Sequence, residues 1–121
     1  IEITKVLGIA NERKVKELYN RYTKTYEKEL DFHISHPNFF ECVAKGVNKG
    51  DAVSYLCKRM GLSANDVITF GDNYNDIPML KFAKLSFAVE NANEDVKKAA
   101  KYVCPSNDND GVAKMIEKYC L

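Results

Sequence analysis

From residue 46 to residue 121, short apolar runs alternate with longer segments of helical period, and this rhythm limits the fold more than any other feature. Val53, Leu56, Cys57 and Met60 line one helical face behind Asn48 and Asp51, a capping-box-like start, and Gly61 closes that segment. Val67-Ile68-Thr69-Phe70 reads as a short apolar strand, 76–83 as a helix with Pro78 in its first turn, and 86–89 as another strand. Val96, Ala99 and Ala100 mark the next helix, and Tyr102-Val103 a minimal strand. Val112, Met115, Ile116 and Tyr119 follow Gly111 at the spacing of a last helix. Strands this short, separated by helices, predict βαβ units and a parallel sheet.

Residues 1–45 have a different rhythm. Residues 1–10 are rich in Ile, Val and Leu and read as a strand. Asn11 is placed to cap a helix that carries Val15, Leu18, Tyr19, Tyr22 and Tyr26, with a charged, solvated opposite face. Phe32 and Ile34 alternate with Asp31, His33 and Ser35, and Pro37-Asn38 is a turn signal, so 31–44 reads as a hairpin. His33 and His36 are expected to be solvated or structural, and Phe39 and Phe40 to pack. The chain therefore divides near Gly46 into an α+β part, 1–45, and an α/β part, 46–121.

Composition excludes several classes of function. Apolar residues make up 45% and charged residues 29%, a globular mix rather than a disordered tail. Lys and Arg total 18 against 17 Asp and Glu, so there is no general electrostatic case for a nucleic-acid or membrane-surface partner. No apolar run approaches the roughly 18–20 residues of a spanning helix, and no signal peptide is visible. The cysteines, Cys42, Cys57, Cys104 and Cys120, form no C-x-x-C pair, and reduced thiols in a cytoplasmic protein are expected. The chain begins with Ile rather than Met, which fits a processed chain or a piece of a longer protein.

Ligands of parallel α/β sheets bind outside the carboxyl ends of the strands. Asp72 follows Gly71 at such an end, and Asp76 lies four residues on, with Asn73 and Asn75 between. Two carboxylates there suit Mg²⁺, which takes one or two carboxylates together with water and substrate phosphate. Gly, Asp and Asn also cluster in ordinary turns, and Asp76 is equally placed to cap its helix. Lys49 stands in the first turn of a helix, where the dipole disfavours a cation. A bound anion would reverse that cost, and Gly50 beside it allows close backbone approach.

Four elements occur in order: Gly-Val-Asn-Lys-Gly (46–50), Val-Ile-Thr-Phe-Gly-Asp-Asn-Tyr-Asn-Asp-Ile-Pro-Met-Leu (67–80), Ala-Val-Glu-Asn-Ala (88–92) and Asn-Asp-Asn-Asp-Gly-Val-Ala (107–113). Together they resemble the C-terminal half of a haloacid dehalogenase (HAD) superfamily phosphatase of the Cof type, over nearly the whole chain. The resemblance implies a Rossmannoid three-layer core with a parallel sheet over 46–121, preceded by an α+β remnant of a cap domain over 1–45. It implies hydrolysis of small phosphorylated metabolites through a phosphoaspartyl intermediate, with Mg²⁺ bridging nucleophile and phosphoryl group. By position, Asp72 resembles the Mg²⁺ ligand of the GD turn, and Asp76 the second acidic residue, which supports the metal directly or through water. Lys49 resembles the lysine that holds the phosphoryl group, and Asn75 the asparagine that helps bind phosphate.

The family's nucleophile lies in an N-terminal D-x-D motif behind an apolar strand, and a second motif carries Ser or Thr at a strand end; neither occurs here. Asp108 and Asp110 form a D-x-D string, but they precede the last helix and read as a loop. The expectation is a fragment whose missing N-terminal half, or a second copy of the chain, pairs with the 67–70 strand. The alternative is a free-standing noncatalytic domain that binds Mg²⁺, phosphate or a protein.

Overall fold

The computed structural model describes residues 3–121 and contains two separate three-stranded sheets. Each sheet belongs to one of two units, divided between Asn48 and Lys49.

In the N-terminal unit the elements are β1 (Lys5–Ile9), α1 (Glu12–Thr25), β2 (Leu30–His36) and β3 (Phe39–Ala44). The sheet is antiparallel, in the order β1-β3-β2. The strand expected over 1–10 begins at Lys5, and Ile1 and Glu2 lie outside the described residues. Asn11 caps α1, its side chain accepting the Lys14 N–H at 2.9 Å. Tyr22 of α1 stacks on Phe32 and meets Phe40 at a tilt, with ring centroids 6.2 and 6.1 Å away, and those two rings stack on each other at 5.4 Å. Register places Val6, Cys42 and Phe32 on this helix-covered side, and Leu7, Glu41 and His33 on the other. Phe39 packs against His36 instead, 5.0 Å between centroids.

Below the hairpin, the Asp31 carboxylate accepts from the Lys45 ammonium and from the Gly46 N–H, each at 2.7 Å. Gly46 itself sits at φ +79°, a left-handed conformation that glycine reaches without steric cost.

The C-terminal unit runs α2 (Lys49–Met60), β4 (Ile68–Gly71), α3 (Ile77–Phe82), β5 (Leu85–Val89), α4 (Glu94–Ala99), β6 (Tyr102–Cys104) and α5 (Gly111–Cys120). The expected parallel sheet is present, in the order β4-β5-β6. Helices lie on both faces. Thr69 donates to the Met79 carbonyl of α3 at 3.3 Å from one face, while Phe87, on the other, packs against Tyr119 of α5 at 5.5 Å. Leu80, Phe87, Ala88, Val89, Ala92, Val96 and Cys104 form the buried core. All four cysteines are free.

Two expectations need correction. The helix expected over 76–83 starts as a 3-10 turn, Tyr74–Asp76, before α3 proper, because Asn73 and Asp76 cap that tighter turn. The apolar stripe of α2 is not a uniform core face: Cys57 is buried, but Leu56 and Met60 are 56% and 68% exposed. The helix rests on α3, and its other side carries these residues into solvent.

Asp31 generates a pH prediction. The Lys45 ammonium holds its carboxyl below the ordinary value of 3.8, against the opposing effect of partial burial, and the Gly46 N–H helps. A depressed folded value means the stabilisation is present above about pH 3.8 and lost as pH falls through the folded value. Asp31→Asn should cost the N-terminal unit about 1 kcal/mol near neutral pH. Urea titrations should show that difference disappear in acid below the folded value.

Candidate active site

The carboxyl ends of β4 and β5 are where a parallel sheet presents a ligand site, and two glycines let the surrounding chain close on this one. A Cβ added at Gly71 would lie 2.6 Å from the Asp76 Cβ, so only glycine lets the following turn fold back over the strand end. A Cβ at Gly50 would lie 2.7–2.8 Å from backbone atoms of Pro78. The close approach that Gly50 permits is thus to the protein's own α3 backbone, and it brings the first residue of α2, Lys49, over the turn.

Asp76 joins these parts. It is 2% exposed, and both of its oxygens are occupied. Oδ1 accepts a hydrogen bond from the Lys49 ammonium. Oδ2 accepts the backbone N–H groups of Asp72 at 2.9 Å and Asn73 at 3.1 Å. Asn73 and Asp76 also form a reciprocal capping box around the 3-10 turn. Burial pushes the Asp76 carboxyl upward, but the Lys49 hydrogen bond and the two amides overcome this and hold it below the ordinary carboxylate value.

Asp72 is exposed at the strand end. Partial desolvation by the surrounding turn, followed by the proximity of the Asp76 carboxyl, moves its own carboxyl above the ordinary value, and Lys49 opposes this. Asp72 also lines a hollow of about 350 Å³, with Asn91 and Asn107 on the polar side and Phe70, Val89 and Val112 on the apolar side. The Asn91 side-chain oxygen Oδ1 accepts the Asn107 backbone N–H at 3.4 Å, which ties the loops after β5 and β6 together. Asn75, on the same turn as Asp72, is half-exposed, and its side chain has no hydrogen-bond partner among the described residues.

Lys49, Asp72, Asn75 and Asp76 are therefore gathered around one turn. Among the described residues no three His, Cys, Asp or Glu side chains cluster as a metal site. Asp108 and Asp110 lie in the 3-10 turn before α5 and at its left-handed end, where Asp110 has φ +54°. Sequence reasoning gave Asn73 no role, although an Asn three residues before an Asp is the spacing of a capping box. It also passed over Asn91 and Asn107, which stand after strand ends just as Asp72 does.

The sequence model of the haloacid dehalogenase-like hydrolases matches residues 1–116. A 5-amino-6-(5-phospho-D-ribitylamino)uracil phosphatase of Bacillus subtilis is 39% identical over 94 residues, which is 78% of this chain and 38% of that one. A phosphoglycolate phosphatase of Methanobrevibacter smithii is 44% identical over 77 residues, 64% of this chain and 33% of that one. The crystal structure of a haloacid dehalogenase-like hydrolase from Bacteroides thetaiotaomicron superimposes with a TM-score of 0.81 at 36% identity, covering 98% of this chain and 44% of that chain. The chain spans about a third of the length of the curated relatives it matches.

The Gly50 contact can be tested directly. Gly50→Ala should force α2 off α3 and cost about 1–3 kcal/mol, the usual penalty of overpacking. Urea unfolding reads that loss. The same variant should shift the Asp72 and Asn73 amide resonances, because moving Lys49 releases one side of the Asp76 carboxylate.

Proposed function

Because the chain belongs to the haloacid dehalogenase-like hydrolase family, we propose that it is the part of a Mg²⁺-dependent phosphatase that supplies the phosphate-binding lysine and the metal-binding loop. The observation that carries this reading is the buried Asp76 carboxylate, which ties the Lys49 ammonium to the Gly71-Asp72 turn. On this reading residues 1–45 belong to a cap domain and residues 46–121 to the hydrolase core. The substrates are small phosphorylated metabolites, and the chain acts in the cytoplasm. No helix among the described residues is long and apolar enough to cross a membrane.

Lys49 is half-exposed at its side chain even while paired with Asp76, which leaves ammonium donors for a phosphoryl oxygen. There it binds the transferring group and balances the charge of an attacking carboxylate. Asn75 offers its amide donors to the same phosphate. Asp72 would hold Mg²⁺ as a hard oxygen ligand. The donor chemistry fits that ion: partial desolvation, and then the neighbouring Asp76 carboxyl, hold the Asp72 carboxyl above its ordinary value, and a cation would favour its ionised form. Asp76, with both oxygens committed, supports the site by holding the lysine and the turn in place. Bound Mg²⁺ supplies Lewis-acid stabilisation of charge developing on the phosphoryl group. The aspartate nucleophile of the family's phosphoaspartyl chemistry is assigned to no residue of this chain.

The open edge of the core sheet supports an incomplete site. Among the described residues β4 pairs only with β5, so one side of the strand that carries Asp72 presents unpaired N–H and C=O groups. The missing N-terminal half, or a second copy of the chain, is the partner this edge fits.

The purified 121-residue chain with Mg²⁺ should not turn over a generic phosphomonoester, because Lys49 and Asp72 have no nucleophile to serve. Steady turnover that disappears in Asp72→Ala would contradict this. In a complete enzyme, Lys49→Ala should lower kcat by about 100-fold or more, and Asp72→Ala should raise the Mg²⁺ concentration needed for half-maximal rate. Near-normal rates at low Mg²⁺ in both variants would remove the assignment.

A further inference from the structure

Between Asp72 and Asn75, on the turn after β4, stands a side chain that neither metal nor phosphate chemistry uses. Tyr74 is 48% exposed. Its backbone is committed: the N–H donates to the Asn73 side-chain oxygen at 2.8 Å, and the carbonyl accepts the Ile77 N–H. Its side chain is not. Among the described residues the Tyr74 ring meets no other ring or cation, and its hydroxyl has no hydrogen-bond partner. The other tyrosines of the C-terminal unit are engaged at similar exposure. Tyr102 and Tyr119 pack on Phe87, with centroids 5.6 and 5.5 Å away. Tyr55 lies under the Arg59 guanidinium, 5.9 Å from its ring, and accepts a hydrogen bond from it at 3.2 Å. Nor does the turn need the Tyr74 ring, since Gly71 and the Asn73–Asp76 capping box set its shape. An aromatic residue left half in water forgoes much of the burial that ordinarily stabilises it. What position 74 offers is a flat apolar surface on a fixed backbone, beside Asn75 in sequence and two residues from Asp72.

We infer that Tyr74 selects the organic half of the substrate, stacking its ring on a planar aromatic or heteroaromatic group carried by the phosphate ester. A phosphomonoester has two halves of opposite character. The phosphoryl half is anionic, and Lys49 and Asn75 match it with donors. The negative face of a phenol ring gives no hold on an anion, but it favours offset stacking on another flat ring. The rigidity of the turn adds to the contact, because a ring already held in place loses little freedom when a ligand meets it. An ester of a short open chain gains little from such a surface, so the preferred substrates are those with a planar ring within reach of the phosphate. Tyr74 takes this role only on the phosphatase reading of the same turn, and the two are separated by experiment.

The isotopically labelled 121-residue chain, with Mg²⁺ present, is titrated separately with inorganic phosphate, methyl phosphate and phenyl phosphate while the Asp72 and Asn75 amide resonances are followed. All three ligands should move those resonances, and Lys49→Ala should weaken all three alike. Phenyl phosphate should bind about two- to tenfold more tightly than methyl phosphate, the span of one aromatic pair. Phenyl phosphate, and not methyl phosphate, should shift the Tyr74 ring protons upfield. Tyr74→Ala should abolish the preference with methyl phosphate affinity unchanged, and Tyr74→Phe should keep it. Equal affinity for phenyl and methyl phosphate in the unaltered chain, or a preference that survives Tyr74→Ala, would overturn the role of Tyr74 and leave the phosphate-binding turn standing. Weaker binding of all three ligands by Tyr74→Phe would make the hydroxyl a phosphate donor and overturn the stacking role as well. No response to inorganic phosphate, with Lys49→Ala indistinguishable from the unaltered chain, would remove the phosphatase reading and the role of Tyr74 with it.

Discussion

A buried carboxylate with three donors, that of Asp76, is the interaction on which the candidate site depends. An ion at 2% exposure is stable only if its charge is matched and its lone pairs are filled. Here one cation and two backbone amides do this, and the cation and the amides belong to different parts of the site. The cation comes from the start of α2, and the amides come from the turn that carries Asp72. Turn shape and lysine position are thereby linked through one side chain. The arrangement also needs two absences, of a Cβ at Gly50 and of a Cβ at Gly71, since either atom would occupy space already taken by α3 or by Asp76.

The alternation of strands and helices in the C-terminal unit was legible because periodicity reports local structure directly. Val67-Ile68-Thr69-Phe70 differs from the observed β4 by one residue at each end. The same reasoning placed Asp72 at a strand end, where a parallel sheet binds ligands. Periodicity says which side chains share a face, however, and not what that face meets. Leu56 and Cys57 are neighbours on α2, yet one is in solvent and the other in the interior, because α2 rests on a helix rather than on a strand. Likewise, the four-residue spacing of Asp72 and Asp76 did not reveal that the second is held by Lys49, 27 residues away in sequence. That contact depends on the packing of α2 on α3, which no local pattern encodes.

The two readings of the Gly-Asp-Asn segment, an ordinary capped turn and a functional loop, are not competitors in the structure. Asn73 and Asp76 form the capping box of a plain turn, and the same Asp76 also accepts from Lys49. The cap provides the rigidity that a binding loop requires, because a positioned side chain is only as well placed as the backbone beneath it. Asn75 and Asp72 stand on that rigid turn with exposed polar groups, while Asp76 and Asn73 hold it together.

The two sheets differ in how soon they can form while the chain is being made. β2 and β3 are joined by the tight turn at Pro37-Asn38, so their pairing is available almost as soon as β3 has been synthesised. β4 and β5 are parallel and joined through residues 72–84, and β6 follows only after residues 90–101. During synthesis the N-terminal sheet can therefore close while β4 is still waiting for its partner. The apolar side chains of β4 spend that interval without their β5 neighbours, which makes this strand a segment on which a nascent-chain chaperone would act.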